Sequence, residues 1–119
     1  MGHVYVDVKI SNPNRDKVAV QRMLVDTGAT YTCLPYPLAK QLSLPLFAKS
    51  KIMLADGREV DASNSLAYVE MNGRADILHV RVLDIIEPIV GVFTLEALGL
   101  AVDPVSGEPN PTRSFIARA

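Results

Sequence analysis

Apolar and polar residues alternate with a period of two along much of the chain, a pattern typical of β-strands. The clearest case is V-Y-V-D-V-K-I within the segment His3 to Ile10, and Lys17 to Val25 is rich in valine, leucine and methionine. The turn-forming run S-N-P-N-R-D lies between these two segments. The sequence therefore predicts a first β-hairpin.

Two dipeptides, Asp56-Gly57 and Asn72-Gly73, predict further hairpins. Asp-Gly and Asn-Gly accept the positive φ angles of tight two-residue turns between antiparallel strands. We therefore expect two more hairpins, formed by Ile52 to Ala55 with Arg58 to Ala62 and by Ser65 to Met71 with Arg74 to Leu83.

Helical signals are few. Pro37 to Leu42 predicts one short helical turn, and Thr94 to Leu98 predicts another. In the second turn Thr94 is the expected N-cap, because its hydroxyl can accept a hydrogen bond from a free backbone N–H group. Gly99 is the expected stop.

The tail from Asp103 to Pro111 carries several prolines and a glycine, so we expect it to be irregular. A last strand is predicted at Ser114 to Ala117. We find no internal repeat and no linker that would divide the chain. The fold prediction is one all-β domain over residues 1–119, built as a small closed barrel or a sandwich.

Composition and charge narrow the classes of protein. The 119 residues are 49% apolar and 21% charged, which favours a folded domain. The balance of 12 basic against 13 acidic residues gives no basic surface of the kind that phosphate binding needs, so we expect no nucleic-acid partner. Charged residues interrupt the apolar stretch from Ile77 to Val102, so we expect no membrane span.

Cys33 is the only cysteine, which excludes an intramolecular disulfide and a multi-thiolate metal site. Its apolar surroundings indicate a small core residue rather than a nucleophile. His3 and His79 lie far apart in strand-like segments, so no metal site is expected. The N-terminus has no signal-peptide pattern. We therefore expect a soluble, cytoplasmic protein that uses no cofactor.

The run M-L-V-D-T-G-A-T-Y, Met23 to Tyr31, carries the candidate chemistry. Asp26 follows a β-rich segment and precedes Gly28, which can turn the chain. A carboxylate at the end of a buried strand loses solvation and needs compensation. Two interpretations are open: Asp26 accepts backbone hydrogen bonds in an Asx-turn, or it is a catalytic carboxylate.

Three segments lie in the order and spacing of a known family. V-D-T-G-A-T, Val25 to Thr30, looks like a catalytic loop; L-A-D-G-R-E-V, Leu54 to Val60, looks like a flap hairpin; E-P-I-V-G-V-F-T-L-E-A-L-G-L, Glu87 to Leu100, looks like an apolar strand, a glycine and a short helix. With the trailing A-V-D-P-V-S-G, the chain resembles the retropepsin-like aspartic proteases, specifically the small single-domain prokaryotic members. The resemblance implies a small closed β-barrel of the retropepsin type with one short C-terminal helix.

The resemblance also implies an aspartic endopeptidase. Hydrolysis of a peptide without a metal requires one group to activate water and another to polarise the carbonyl, and a carboxyl pair that shares one proton supplies both. The chain contains one Asp-Thr/Ser-Gly triplet, so the second carboxyl must come from a second copy. We therefore expect a homodimer with one catalytic Asp26 from each protomer, and an inactive monomer.

By the same resemblance, Thr27 and Gly28 support the catalytic loop, and Thr27 hydrogen-bonds across the two-fold axis. Gly28 and Ala29 offer backbone groups to an extended peptide substrate. The Ala55 to Glu59 hairpin closes over that peptide, so Ala55, Asp56 and Gly57 are expected to contact it. The side chain of Asp56 is better explained as a turn former, and Arg58 as a solvated charge.

One departure from the family concerns an ion pair. Many retroviral members have an Asp where this chain has Thr30 and an Arg where it has Val92. Losing both partners leaves no orphaned charge, which is tolerable. The dimer contacts of this chain are therefore expected to differ from the retroviral ones.

Two other classes of function remain open on the sequence. The first is a non-catalytic dimeric module of the same fold that binds a peptide or another ligand. The second is a structural β-barrel domain of a larger assembly. The intact Asp-Thr-Gly argues against the binding module, because binding alone gives no reason to bring two carboxylates together.

Overall fold

β-Strands make up most of the structure, a computed structural model that describes residues 3–112. Two short helices interrupt them. The elements in chain order are β1 (Tyr5–Ser11), β2 (Val18–Val25), β3 (Cys33–Pro35), α1 (Tyr36–Gln41), β4 (Leu46–Met53), β5 (Glu59–Met71), β6 (Arg74–Leu83), β7 (Ile89–Val90), α2 (Val92–Ala97), β8 (Leu100–Val102) and β9 (Pro109–Pro111).

The main sheet has seven strands in the order β1-β2-β7-β3-β6-β5-β4. β1 pairs with β2 on one side and with β5 on the other, with Ile10 opposite Val69 in the second pairing. This additional pairing closes the sheet into a ring, and β4 lies outside the ring as a partner of β5. The predicted mostly-β architecture with a closed sheet is confirmed.

The core fills the inside of this ring. Along β1 the alternation of the sequence places Val8 and Ile10 inside and leaves Asp7 and Lys9 exposed. Each fully buried aliphatic side chain contributes about 1.5–3 kcal/mol relative to an exposed one. The fully buried residues of this core with the largest side chains include Ile10, Met23, Leu34, Leu42, Val8, Val69, Val80, Val82 and Val90, and Leu83 lies in a second, smaller cluster with Cys33 and Ala62.

The hairpins predicted from the sequence are present, with two refinements. β5 is one strand of 13 residues where two shorter segments were expected. The Asn72-Gly73 turn has positive φ at both residues, 52° and 73°, as a two-residue turn requires. At Asp56-Gly57 only Gly57 has a positive φ, and the Leu54 N–H donates to the Arg58 carbonyl at 2.8 Å, so this loop includes Ala55 as well.

Both predicted helical turns form, although one detail was wrong. α1 lies within a residue of the expected Pro37 to Leu42. α2 begins after Gly91 rather than at Thr94, so Thr94 is not the N-cap. Its buried hydroxyl instead bonds the hydroxyl of Thr32 at 2.7 Å, a contact between distant segments that propensity does not reveal. Gly99, with φ 67°, ends the helix as expected.

The tail is more regular than predicted. β9 pairs antiparallel with β8, with Val102 opposite Pro109. Proline is tolerated because neighbours make the hydrogen bonds: the Asp103 N–H donates to the Glu108 carbonyl at 2.8 Å. The strand predicted at Ser114 to Ala117 lies outside the described residues. Within residues 3–112, neither helix has the length and apolar character needed to cross a membrane.

Candidate active site

Asp26 lies directly after β2, where the chain leaves the ring. Its N–H donates to the Val90 carbonyl at 3.0 Å, which continues the parallel pairing of β2 with β7. Its Oδ1 accepts the Gly28 N–H at 2.9 Å, and its carbonyl accepts the Ala29 N–H at 3.1 Å. The Asx-turn expected as one interpretation is therefore present, and it fixes the orientation of the carboxylate.

The start of α2 supports the loop from Asp26 to Thr32. The Val92 N–H donates to the Ala29 carbonyl, and the Phe93 N–H donates to the Thr30 carbonyl, both at 2.9 Å. These bonds hold the loop against α2 beside Thr30 and Val92, the two positions at which the sequence departs from the retroviral pattern. Thr30 is exposed and Val92 is half-buried.

A second support is buried beneath the loop. The Thr32 hydroxyl oxygen accepts the Gly91 N–H at 3.0 Å and shares a hydrogen bond of 2.7 Å with Thr94. Gly91 has no room for a side chain, because a Cβ there would lie 2.4 Å from the carbonyl carbon of Tyr31. Thr32 was not singled out from the sequence, since a lone threonine gives no signal of such a contact.

The loop faces a groove of about 500 Å³ whose opposite wall is the end of β4 and the hairpin after it. Asp26 is the only carboxylic acid among the described residues that line it. A larger cavity of about 730 Å³ lies beside α1, but none of its described lining residues carries a carboxylate, so the chemistry favours the Asp26 groove. The groove is lined by Asp26, Gly28, Ala29, Thr30, Tyr31, Cys33, Ile52, Met53, Leu54, Ala55, Arg81 and Ile89.

The structure brings together four of the predicted site residues: Asp26, Gly28 and Ala29 from the loop, and Ala55 from the hairpin. Thr27 is exposed beside them and does not line the groove of the single chain. Its predicted bond across a two-fold axis stays a prediction.

Asp56 and Gly57 lie at the exposed tip of the hairpin, outside the groove lining. The Asp56 carboxylate accepts the Arg58 N–H at 3.0 Å and the Arg58 Nε–H at 2.7 Å. These hydrogen bonds hold the pKa of Asp56 below its ordinary value. The side chain of Asp56 therefore acts as a turn former, as the dipeptide predicted.

Cys33 lines the groove, and its side chain is buried. Burial raises the pKa of its thiol to about 11, against the opposing effect of the nearby Arg81 charge. The thiol therefore stays protonated near neutral pH. Among the described residues, no three His, Cys, Asp or Glu side chains come together in a way that could hold a metal ion.

Among the lining residues, the sequence analysis assigned no role to the side chains of Tyr31 and Arg81. Arg81 is 8% exposed. Strand alternation would place a charged residue between two buried valines on the solvent side, but this end of β6 is covered on both faces. No local sequence pattern indicates that both faces of this strand end are buried.

A closed ring of strands, an Asp-Thr-Gly loop and a hairpin facing that loop across a groove define the class of retropepsin-like aspartic proteases. The sequence profile of the family described as "Aspartyl protease" matches residues 6–103. The chain belongs to this family, and it is a protease of the hydrolase class.

The fold is also similar to that of a solved viral enzyme. The protease of EIAV, in complex with the inhibitor HBY-793, superposes with a TM-score of 0.66 at 24% sequence identity, covering 82% of this chain and 89% of that one. This likeness shows the shared fold. A comparison with curated proteins gives no match.

Proposed function

We propose that this chain is an aspartic endopeptidase that hydrolyses peptide bonds as a homodimer, with Asp26 of each protomer forming the catalytic pair. The observation that carries the proposal is the position of Asp26, held on a braced loop at a groove beneath a hairpin. The family match supports the reaction class.

The chemistry of the groove supports the dimer. One carboxyl group cannot be the acid and the base at once, and no second carboxylic acid from residues 3–112 lines the groove of one chain. A two-fold axis beside Asp26 would supply the second group. The residues around Asp26 leave room for it, since Thr27 and Gly28 are exposed and Phe93 is 41% exposed.

In the proposed mechanism the two Asp26 carboxyls share one proton. The ionised carboxylate removes a proton from a water molecule, while the protonated partner donates to the carbonyl oxygen of the scissile bond. Water attacks the carbonyl carbon and forms a tetrahedral intermediate. Transfer of a proton to the leaving nitrogen then breaks the C–N bond and releases an amine and a carboxylic acid.

The groove suits an extended peptide. Gly28 and Ala29 would bind its backbone from below, and the hairpin at Ala55 would cover it from above. Thr27 would join the two loops across the axis. The aliphatic side chains of Ile52, Leu54 and Ile89 favour apolar residues close to the scissile bond.

The test compares wild type with Asp26→Asn on a mixed peptide library over acidic to neutral pH. Asp7→Asn is the matched control, because Asp7 is an exposed aspartate on β1 outside the groove. We expect cleavage by wild type and by the control, and none by Asp26→Asn. Cleavage by all three proteins, or by none while each is a folded dimer, would refute the protease.

Light scattering tests the second half of the proposal. We expect activity to rise with the fraction of dimer as the protein concentration increases. A monomer that cleaves peptides would contradict the shared-carboxylate mechanism. Peptide binding by a dimer that never cleaves would favour the alternative, a non-catalytic binding module.

A further inference from the structure

Arg81 is a buried cation in the groove that holds Asp26. It lies on β6 and is 8% exposed, and its neighbours Val80 and Val82 are fully buried. The parallel pairing of β6 with β3 sets Arg81 opposite Cys33, which also lines the groove. Among the described residues, no other lysine or arginine lines it.

Every protein partner found for this guanidinium is neutral. It stacks over the Tyr31 ring with its central carbon 3.9 Å from the ring centroid. Its Nη1–H donates to His79 Nε2 at 2.7 Å. Because arginine has no acceptor, His79 must accept with an unprotonated Nε2.

The guanidinium keeps unused hydrogen-bonding capacity. Arg81 Nε is buried and has no hydrogen-bond partner among the residues the structure describes, so a ligand in the groove would reach the guanidinium through its outer Nη groups. The ion pairs found within residues 3–112 are Lys51 with Asp61 and Arg58 with Asp56, and neither includes Arg81. A buried charge without a carboxylate partner is costly. A ligand that supplies a carboxylate offsets this cost, and its binding is stabilised as a result.

The side chain is also held in place before any ligand arrives. Tyr31, on which it stacks, packs at 6.0 Å from the His79 ring and at 5.9 Å from the Phe93 ring. A planar guanidinium with fixed orientation binds a carboxylate with little further ordering. Guanidinium and carboxylate form charge-assisted hydrogen bonds of high geometric specificity.

We propose that Arg81 binds a carboxylate side chain of the substrate, so that the protease selects Glu or Asp close to the scissile bond within an otherwise apolar sequence. This inference rests on the proposed function. In the dimer each protomer would contribute one Arg81, so an acidic residue is accepted on either side of the cleaved bond.

The experiment uses pairs of cleavable peptides that differ only by Glu against Gln at one position flanking the scissile bond. We expect wild type at pH 6 to cleave the best Glu peptide about 10-fold to 100-fold faster in kcat/KM than its Gln partner. The preference should shrink at pH 3, where the substrate carboxyl is protonated.

Variants of Arg81 test whether this residue causes the preference for Glu over Gln. Arg81→Gln should bring the Glu/Gln ratio to about one, and Arg81→Lys should keep part of it as a point charge. Arg22→Gln removes an arginine outside the groove and should leave the ratio unchanged. If Arg81→Gln fails to fold, the Glu/Gln ratios of wild type and of Arg81→Lys still test the proposal.

Failure of this inference differs from failure of the proposed function. Cleavage with a Glu/Gln ratio near one at every position overturns the acidic subsite and leaves the protease intact. A weaker dimer in Arg81→Gln with an unchanged ratio also overturns it, since the carboxylate would then come from the partner subunit. Preferential binding of a labelled Glu peptide by Asp26→Asn, without cleavage by wild type, supports the subsite and refutes the protease.

Discussion

The hydroxyl oxygens of Thr32 and Thr94 lie 2.7 Å apart in the core, although 62 positions separate these residues along the chain. Thr32 also accepts the Gly91 N–H, so one hydroxyl joins the end of the Asp26 loop to the start of α2. Both threonines are almost completely buried. This contact connects the fold to the position of the candidate catalytic group.

Thr32→Val should destabilise the protein more than Thr94→Val, although both changes preserve side-chain size. Loss of the Thr32 hydroxyl leaves the buried Gly91 N–H without an acceptor, which costs about 1–3 kcal/mol of unfolding free energy. Thr94→Val keeps the bond between Gly91 and Thr32. Denaturant unfolding of both single variants and the double variant measures the difference. Equal and additive losses would contradict the shared contact.

Gly91→Ala should disturb the loop from Asp26 to Thr32 directly. Its Cβ would meet the Tyr31 carbonyl carbon at 2.4 Å, and backbone atoms cannot move aside as a flexible side chain can. We expect the free energy of unfolding to fall by about 1–3 kcal/mol. We also expect a strong drop in kcat, because Tyr31 and Asp26 share one loop. Unfolding experiments and peptide cleavage measure the two effects.

Gly73→Ala is the control for that substitution. Gly73 has a φ of 73°, and apart from the glycine itself and its two chain neighbours no described residue has an atom within 4 Å of the position that an alanine methyl would take, so Ala there carries backbone strain without a clash. We expect the free energy of unfolding to fall by about 1 kcal/mol. Peptide cleavage should be unchanged, since the turn is remote from the groove. If Gly91→Ala were no worse than Gly73→Ala, the close packing at Tyr31 would be refuted.

Local signals in the sequence account for much of the fold. The Asn72-Gly73 turn and the alternation along β1 are properties of a few neighbouring residues, so they could be predicted. β3 and β7 have three and two residues, too few for any period to show, and they exist because distant strands pair with them. The strand pattern left a closed barrel and a sandwich open, and the family resemblance favoured the closed barrel.

The residues of the site also divide into those that the local sequence predicts and those that it does not. Asp26 belongs to a short motif whose neighbours carry a recognisable pattern, whereas Arg81 looks like an ordinary exposed strand residue. Its burial depends on β3 and on the Tyr31 ring, which reach it from other parts of the chain. Long-range packing of this kind is what a single sequence does not display.

Cys33 should resist alkylation in the folded protein. The pKa of about 11 leaves little thiolate at neutral pH, and the thiol donates to the Tyr31 carbonyl at 3.4 Å. We expect slow labelling by iodoacetamide that becomes fast in denaturant, followed by mass spectrometry. Cys33→Ala should keep peptide cleavage. Complete loss of cleavage in a folded Cys33→Ala dimer would contradict this assignment and make the thiol a catalytic candidate.

His79 should make the folded protein less stable as the pH falls below about 6.5. Burial, and then the charge of Arg81, lower the pKa of His79 from its ordinary value of 6.5. Between that value and the lower folded one, the unfolded chain binds more protons, so the free energy of unfolding falls with falling pH and is flat above the window. Protonation would also remove the acceptor that Nε2 offers to Arg81.

His79→Gln separates this effect from the titration of the carboxylates. Gln keeps an oxygen acceptor for Arg81 and does not titrate, so its unfolding free energy should vary less than that of wild type from about pH 7.5 down to about pH 5. Urea unfolding at several pH values in this range measures both curves. Parallel curves would show that His79 is not the group responsible, because the carboxylates contribute equally to the two proteins.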